Sequence, residues 1–350
     1  MSIAAQERPV RPIAEAVVPL ADKIALLSEV TAYPERPERV ERRETHMSWL
    51  FLTDSLVYKL KKPVHHAYAD FRTLEARRWN CLAEIRLNRR LAPDVYLAIK
   101  PLTFAAHRGL ELAGDGGIVE WLVIMRRLPD ELMLERALWR GGPDRCDLDR
   151  IAARLAGFYN GLAPERIAPH VRCAWLETEI RLSRQELARP TFARDSALID
   201  RIAGRLIDFL RTRPEALVDR HRGGRIVEGH GDLQPEHICL GREPVVIDCL
   251  EFSRKLRIVD PADEMAFLAL ECAMLGEPET GVRLQRQYEA MTGDRPPESL
   301  VAWYASFRAF LRARLSALHS FEPASRPREA WLAQADRYLG TALRYSELLV

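Results

Sequence analysis

Residues 227–252 read VEGHGDLQPEHICLGREPVVIDCLEF, and this stretch decides the fold. It sets His230, Asp232, His237 and Asp248 around two short apolar runs. Three chemistries use such residues: metal chelation, nucleophilic catalysis, and the catalytic loop of a phosphoryl-transfer enzyme. The rest of the chain has to choose among them.

In the third case a His-x-Asp loop supplies an Asp that orients a substrate hydroxyl and accepts its proton. A second Asp, on a following strand end, binds Mg²⁺ between phosphates. HGDLQPEH supplies His230 and Asp232, with His237 at the position of a metal-binding amide. HICL, a turn at GREP and the run PVVID then read as a short hairpin that carries Asp248 back toward Asp232.

The upstream half has matching parts. Residues 46–62 read as a β-hairpin, HMSWLFL and LVYKLKK around the turn TDS. Only six of the 52 basic residues are lysine, and three of them fall in YKLKKPV. Strand side chains alternate, so Lys59 and Lys61 share a face and Lys62 takes the other. A phosphate-binding strand lysine is expected to follow a small apolar residue two positions earlier. Val57 precedes Lys59 in this way, which favours Lys59, with Lys61 as second candidate. Residues 70–91 read as a helix with Leu74, Leu82, Ile85 and Leu91 on one side. Its Glu84 is the expected partner of the lysine, ahead of Glu75. Thr45, His46 and Ser48 stand at the hairpin start, where a glycine-rich phosphate loop is missing. WLVIMRRLP resembles the linker strand between the lobes of kinase-like enzymes, a resemblance that would set the backbone from Met125 to Arg127 against an adenine edge. DVYLAIKPLTF and GIVEWLVIMRRL are two further strands, so 46–126 runs β-β-α-β-β.

HGDLQPEHICL followed by VVIDCLEF resembles the aminoglycoside phosphotransferase-like branch of the protein-kinase-like fold. FLTDSLVYKLKKPV, EIRLNRRLAPDVYL and RIVDPADEMAFLALE are similar to one bacterial subgroup of it, sometimes fused to a P-loop ATP-binding domain. The chain carries no G-x-x-x-x-G-K-[ST]. The resemblance covers about residues 20–290 and implies a two-lobed α+β fold. A small sheet-rich lobe would span 20–126 and a larger helical lobe 127–350, after a loose leader at 1–19, with a ligand cleft at the joint. It further implies ATP and Mg²⁺ as cofactors, Asp232 as base, Asp248 as Mg²⁺ ligand and His230 as a brace. His237 stands where the wider family has Asn, and Mg²⁺ has little preference for nitrogen. Glu251 is a candidate to support the metal indirectly. Asp260 before Pro261 reads as a helix N-cap.

The expected reaction is transfer of the γ-phosphate of ATP to a hydroxyl of a small molecule. A nucleotide-binding regulator with little turnover is the alternative, and a metal hydrolase a third reading that leaves the lysine strand unexplained. Helices are expected near 148–162, 174–188, 195–212, 261–275, 281–291, 298–320 and 327–348. With a net charge of +2, 47% hydrophobic residues and 29% charged, the chain offers no general case for nucleic acid or membrane. Six scattered cysteines without a C-x-x-C pair fit reduced thiols in the cytoplasm.

Overall fold

A computed structural model describes residues 18–66, 68–192, 194–321 and 326–349. The expected leader, apart from Val18 and Pro19, lies outside the described residues. The chain divides into two compact units: residues 1–129 with 246–253, and residues 130–245 with 254–350.

The first unit starts with α1 (Leu20–Leu27), then β1 (Glu41–Glu44), β2 (Ser48–Leu52) and β3 (Leu56–Lys61). β4 (His65–His66) and β5 (Ala69–Asp70) form a small ladder before α2 (Leu74–Asn88). β6 (Tyr96–Ala105), β7 (Gly109–Leu112) and β8 (Gly117–Arg126) complete it. The six longer strands form one antiparallel sheet in the order β1-β2-β3-β8-β6-β7. Period-two alternation sorts β3 cleanly. Tyr58 and Leu60 join Leu27, Tyr33, Phe51, Leu122 and Ile124 in the apolar core, while Lys59 and Lys61 reach Glu84 of α2.

The helix was expected over 70–91 with an apolar stripe. The buried residues of α2 are instead largely polar: Arg77, Asn80, Cys81, Glu84, Ile85, Leu87 and Asn88. Each charged one has a partner. Arg77 Nε lies 2.8 Å from Glu120, which Lys23 of α1 also meets at 3.0 Å. Thr73 caps the helix, its hydroxyl accepting from the Ala76 N–H at 3.1 Å.

The second unit holds α3 (Leu134–Trp139), α4 (Arg145–Asn160), α5 (Pro169–Leu187), α6 (Ser196–Thr212) and α7 (Pro214–Arg222). Short strands β9 (Val227–Glu228) and β10 (Ile238–Cys239) follow, then β11 (Val245–Val246), which pairs with β10. α8 (Arg254–Arg257), β12 (Ile258–Val259), α9 (Pro261–Met274), α10 (Pro278–Thr292), α11 (Glu298–His319) and α12 (Arg328–Glu347) complete it. Its core gathers Leu176 and Ile180 of α5, Leu206 of α6, Phe267 of α9, Trp303 and Phe310 of α11, and Tyr338 of α12. The seven expected helices are all present, and the three short ones, α3, α7 and α8, are additional. Asp260 caps α9 through the Ala262 N–H at 2.9 Å, ahead of Pro261. The same carboxylate takes two bonds from Arg220, at 2.7 and 2.6 Å, and one from the Tyr304 hydroxyl at 3.0 Å.

β9 and β12 pair antiparallel, Val227 opposite Val259 and Glu228 opposite Ile258. This ladder launches residues 229–237 from a fixed point. Among the described residues, no helix is long and apolar enough to cross a membrane.

Candidate functional site

In the first unit, five charged side chains from three separate segments form one cluster built on Lys59 and Lys61. The Lys59 ammonium lies 2.8 Å from Glu84 Oε1 and 3.0 Å from Asp248 Oδ1. Lys61 lies 2.6 Å from Glu84 Oε2 and 2.6 Å from Glu251 Oε1. The cluster is an alternating chain, Asp248–Lys59–Glu84–Lys61–Glu251. It holds three carboxylates and two ammoniums, so it is one positive charge short.

The deficit falls at the open end. Lys61 is 1% exposed and Glu84 is fully buried, whereas the Asp248 side chain is 47% exposed. A carboxylate that is open to solvent and shares its lysine with Glu84 suits a hard cation. Mg²⁺ commonly binds through one or two carboxylates plus substrate phosphates. No group of three or more His, Cys, Asp or Glu able to hold a metal exists among the described residues. That argues against an all-protein zinc site of the hydrolase type, which needs three or four ligands.

The backbone fixes where the Asp248 carboxylate points. Asp248 adopts φ +60°, a left-handed conformation that Asp tolerates better than most residues. Its N–H donates to the Tyr96 hydroxyl at 3.0 Å, and the next N–H, of Cys249, donates to Asn88 Oδ1 at 2.8 Å. Asn88 Nδ2 in turn donates to the Glu84 carbonyl at 2.9 Å, which sets the amide the right way round.

Electrostatics follow from this packing. Burial works against the charge on Lys59, but Asp248 and Glu84 outweigh it and hold the ammonium well above its ordinary value. Burial alone would raise the Glu84 carboxyl, yet Lys59 and Lys61 prevail and hold it below its ordinary 4.5. A carboxyl held down in the folded chain binds fewer protons there than in the unfolded chain. Its stabilisation is therefore present above about pH 4.5 and is lost as pH falls through the lowered value. Lys61→Met removes one of the two cations holding Glu84 down. The acid-unfolding midpoint, followed by circular dichroism, is expected to move to higher pH in that variant.

The other upstream candidates have structural partners. Ser48 is buried; its N–H donates to the Thr45 hydroxyl at 3.0 Å and its carbonyl accepts from the Thr45 N–H at 2.8 Å. Thr45 and Ser48 thereby close the β1–β2 turn on itself. Met125 sits opposite both Val57 and Tyr96 in the sheet. The N–H groups of Arg126 and Arg127 donate to the Val95 and Ser55 carbonyls, both at 2.8 Å. The Arg127 guanidinium bonds the Thr53 carbonyl at 2.8 Å and Glu41 at 3.2 Å. Those two N–H groups are thus spent within the sheet rather than presented to a base edge.

In the second unit the loop after β9 is held from behind by Glu264. Its carboxylate accepts from the His230 N–H at 2.9 Å, the Gly231 N–H at 2.5 Å and the Tyr159 hydroxyl at 2.7 Å. Burial pushes this carboxyl up, against the pull of these donors and of Arg308. Arg308 is bidentate to Asp263, at 2.7 and 2.8 Å, and donates to the Gly231 carbonyl at 3.3 Å. His230 is fully buried, and its Nδ1 accepts from the Asp232 N–H at 3.3 Å. His237 Nδ1 lies 2.8 Å from the Asp232 carbonyl, which assigns the proton to that nitrogen. Both histidines thus brace the backbone of Asp232, whose own side chain is 27% exposed.

Gly229 has a physical reason to be glycine. A Cβ there would stand 2.5 Å from Val259 Cγ2 and closer still to Glu264 Oε2. Gly229→Ala is expected to cost about 1–3 kcal/mol in urea unfolding, as overpacking does.

Sequence reasoning missed Tyr96, Asn88 and Glu264. Asn88 and Glu264 lie on the helices α2 and α9, but nothing in their spacing marks which backbone group each will meet. Glu251, expected as an indirect metal support, is the partner of Lys61 at 2.6 Å.

Against known structures, the chain has the fold of small-molecule kinases and phosphotransferases. A choline/ethanolamine kinase family protein of Mesorhizobium loti superposes with TM-score 0.54 at 15% identity, over 93% of this chain and 98% of that one. Choline kinase of Cryptosporidium parvum gives 0.53 at 13%, over 93% and 95%. The GDP complex of an aminoglycoside 2'-phosphotransferase-IIIa gives 0.50 at 17%, over 93% and 98%. This is the expected kinase-like α+β architecture, with a sheet-rich first unit and a helical second one. Uncharacterized proteins of Mycobacterium bovis and Mycobacterium tuberculosis are 34% identical over 285 residues, 79% of this chain. The match spans 54% of their length, so the chain accounts for about half of those relatives. No family model matches.

Proposed function

We propose that the chain is an ATP-dependent phosphotransferase acting on a hydroxyl of a small molecule, in the aminoglycoside phosphotransferase-like family. The observation that carries this reading is the single meeting point of Lys59, Glu84 and Asp248, at 2.8 and 3.0 Å. It supplies an ammonium for phosphate oxygens, a buried carboxylate to hold it, and an open carboxylate for the metal.

Asp248 would hold Mg²⁺; the Nδ1–H of His237 bonds the Asp232 carbonyl, which leaves Nε2 as its metal-binding nitrogen, and Mg²⁺ has little preference for nitrogen. When bound, Mg²⁺ supplies neutralisation of the phosphate charge. Lys59 binds phosphate oxygens and keeps Glu84 as its counter-ion when it turns from Asp248. Asp232 orients the acceptor hydroxyl and takes its proton as the new O–P bond forms and the bond to the leaving nucleoside diphosphate breaks. The base edge would be met beyond Arg127, from Leu128 onward, since the two preceding N–H groups are spent. The polypeptide works in the cytoplasm in this reading, consistent with six cysteines that form no disulfide among the described residues.

The test is acceptor-dependent release of ADP from Mg²⁺ and ATP across a panel of hydroxyl metabolites. Turnover that appears with one acceptor class supports the reading. Nucleotide binding with no turnover for any acceptor supports the regulator instead.

A further inference from the structure

We propose that Lys61 and Glu251 are positioning residues for the Mg²⁺–nucleotide site, setting the place of the Asp248 carboxylate without touching a ligand. The proposal rests on Asp248 being the metal ligand.

Neither side chain can reach a ligand. Lys61 is 1% exposed and Glu251 9%, and their charged atoms are 2.6 Å apart. The Lys61 ammonium also lies 5.7 Å from the centre of the Phe71 ring. What they do is tie residues 246–253 to the sheet. Backbone bonds contribute: the Val246 N–H reaches the Leu91 carbonyl at 3.5 Å, the Asp248 N–H the Tyr96 hydroxyl at 3.0 Å and the Cys249 N–H Asn88 Oδ1 at 2.8 Å. Two ion pairs add side-chain ties on either side of them. Lys59 and Lys61 are two residues apart on one face of β3, about 7 Å. They take hold of Asp248 and Glu251, on either side of Cys249 and Leu250.

The two struts differ in what nucleotide does to them. Lys59 must leave Asp248 when phosphate and metal arrive, so that tie is lost in the working state. Lys61–Glu251 is buried and remains. It also keeps the second oxygen of Glu84 paired, at 2.6 Å, so Glu84 is never left as a lone buried charge while Lys59 moves. A mere stabiliser would contribute to unfolding free energy without governing either the local order at Asp248 or metal affinity.

Glu251→Gln separates the two roles, since it keeps volume and an acceptor for Lys61. Without metal or nucleotide, the Asp248 and Cys249 amides should exchange about tenfold faster, with α2 and β3 little changed. With a non-hydrolysable ATP analogue present, Mn²⁺ read by electron paramagnetic resonance should bind about tenfold more weakly. The double variant Lys61→Met/Glu251→Met removes the pair, and because it also takes one of the two cations from buried Glu84, its melting temperature should fall. Below that transition it should show the same two losses. Unchanged local exchange and Mn²⁺ binding in both variants, beside a wild type that binds Mn²⁺ with the analogue, would overturn the positioning role. A wild type that binds no Mn²⁺ with the analogue overturns the metal assignment of Asp248, and this proposal with it.

Discussion

Asp232→Asn is expected to lower turnover by about 10²–10⁴-fold, the usual effect of removing a positioned general base. The nucleotide dissociation constant should change little, because Lys59, Glu84 and Asp248 lie elsewhere in the chain and remain intact. The argument starts from how strongly the loop is braced. His230 Nδ1 holds the Asp232 N–H, His237 Nδ1 holds its carbonyl, and Glu264 holds the two preceding N–H groups. Four backbone groups around one residue are therefore fixed, while its carboxylate is partly open to solvent. Such an arrangement orients the side chain, whose Oδ2 has His237 Nδ1 3.9 Å away. Asparagine keeps the shape and every backbone bond, so the variant should fold normally by circular dichroism and differ only in proton acceptance. Steady-state rates with saturating ATP and acceptor check this. A decrease below threefold would remove Asp232 from the proton-transfer step.

Asp248→Asn should be comparably severe by a different route. Metal stabilisation of transferring phosphate is worth several kcal/mol, and a loss of about 4 kcal/mol is roughly 10³-fold in rate. The variant should still fold, because Lys59 retains Glu84 at 2.8 Å. Its signature is metal dependence: raising Mg²⁺ should recover part of the lost rate, whereas no amount of Mg²⁺ should recover Asp232→Asn. Rate measured against Mg²⁺ concentration separates the two variants directly.

The sequence made some of this site legible and hid the rest for identifiable reasons. Alternation in YKLKK places Lys59 and Lys61 on one face, because period two is a property of strands alone. It does not say that both lysines would share Glu84, since that depends on how α2 lies across the sheet. Nothing in 41–44 marks β1 as a strand, because ERRE has no apolar alternation. An edge strand carries its charges outward, so its pattern is polar on purpose. β7 (GLEL) lies between the two expected strands and carries no mark of its own, being four residues with no buried member. The apolar stripe expected on α2 fails because its buried face pairs charges rather than packing methyl groups. Helices α4–α6 and α9–α12 were legible because each buries an amphipathic face long enough to show its period. Tyr96 and Asn88 act through backbone N–H groups of residues 248 and 249, contacts of 152 and 161 positions' separation that no local pattern records.

The most direct test of the Lys59–Glu84–Asp248 site is calorimetric titration of a non-hydrolysable ATP analogue into wild type and Lys59→Met, each with and without Mg²⁺. Tight binding that requires Mg²⁺ in the wild type, and weakens by about tenfold or more in Lys59→Met, is the predicted result. Binding of the analogue with equal affinity in both proteins, indifferent to Mg²⁺, would contradict the account.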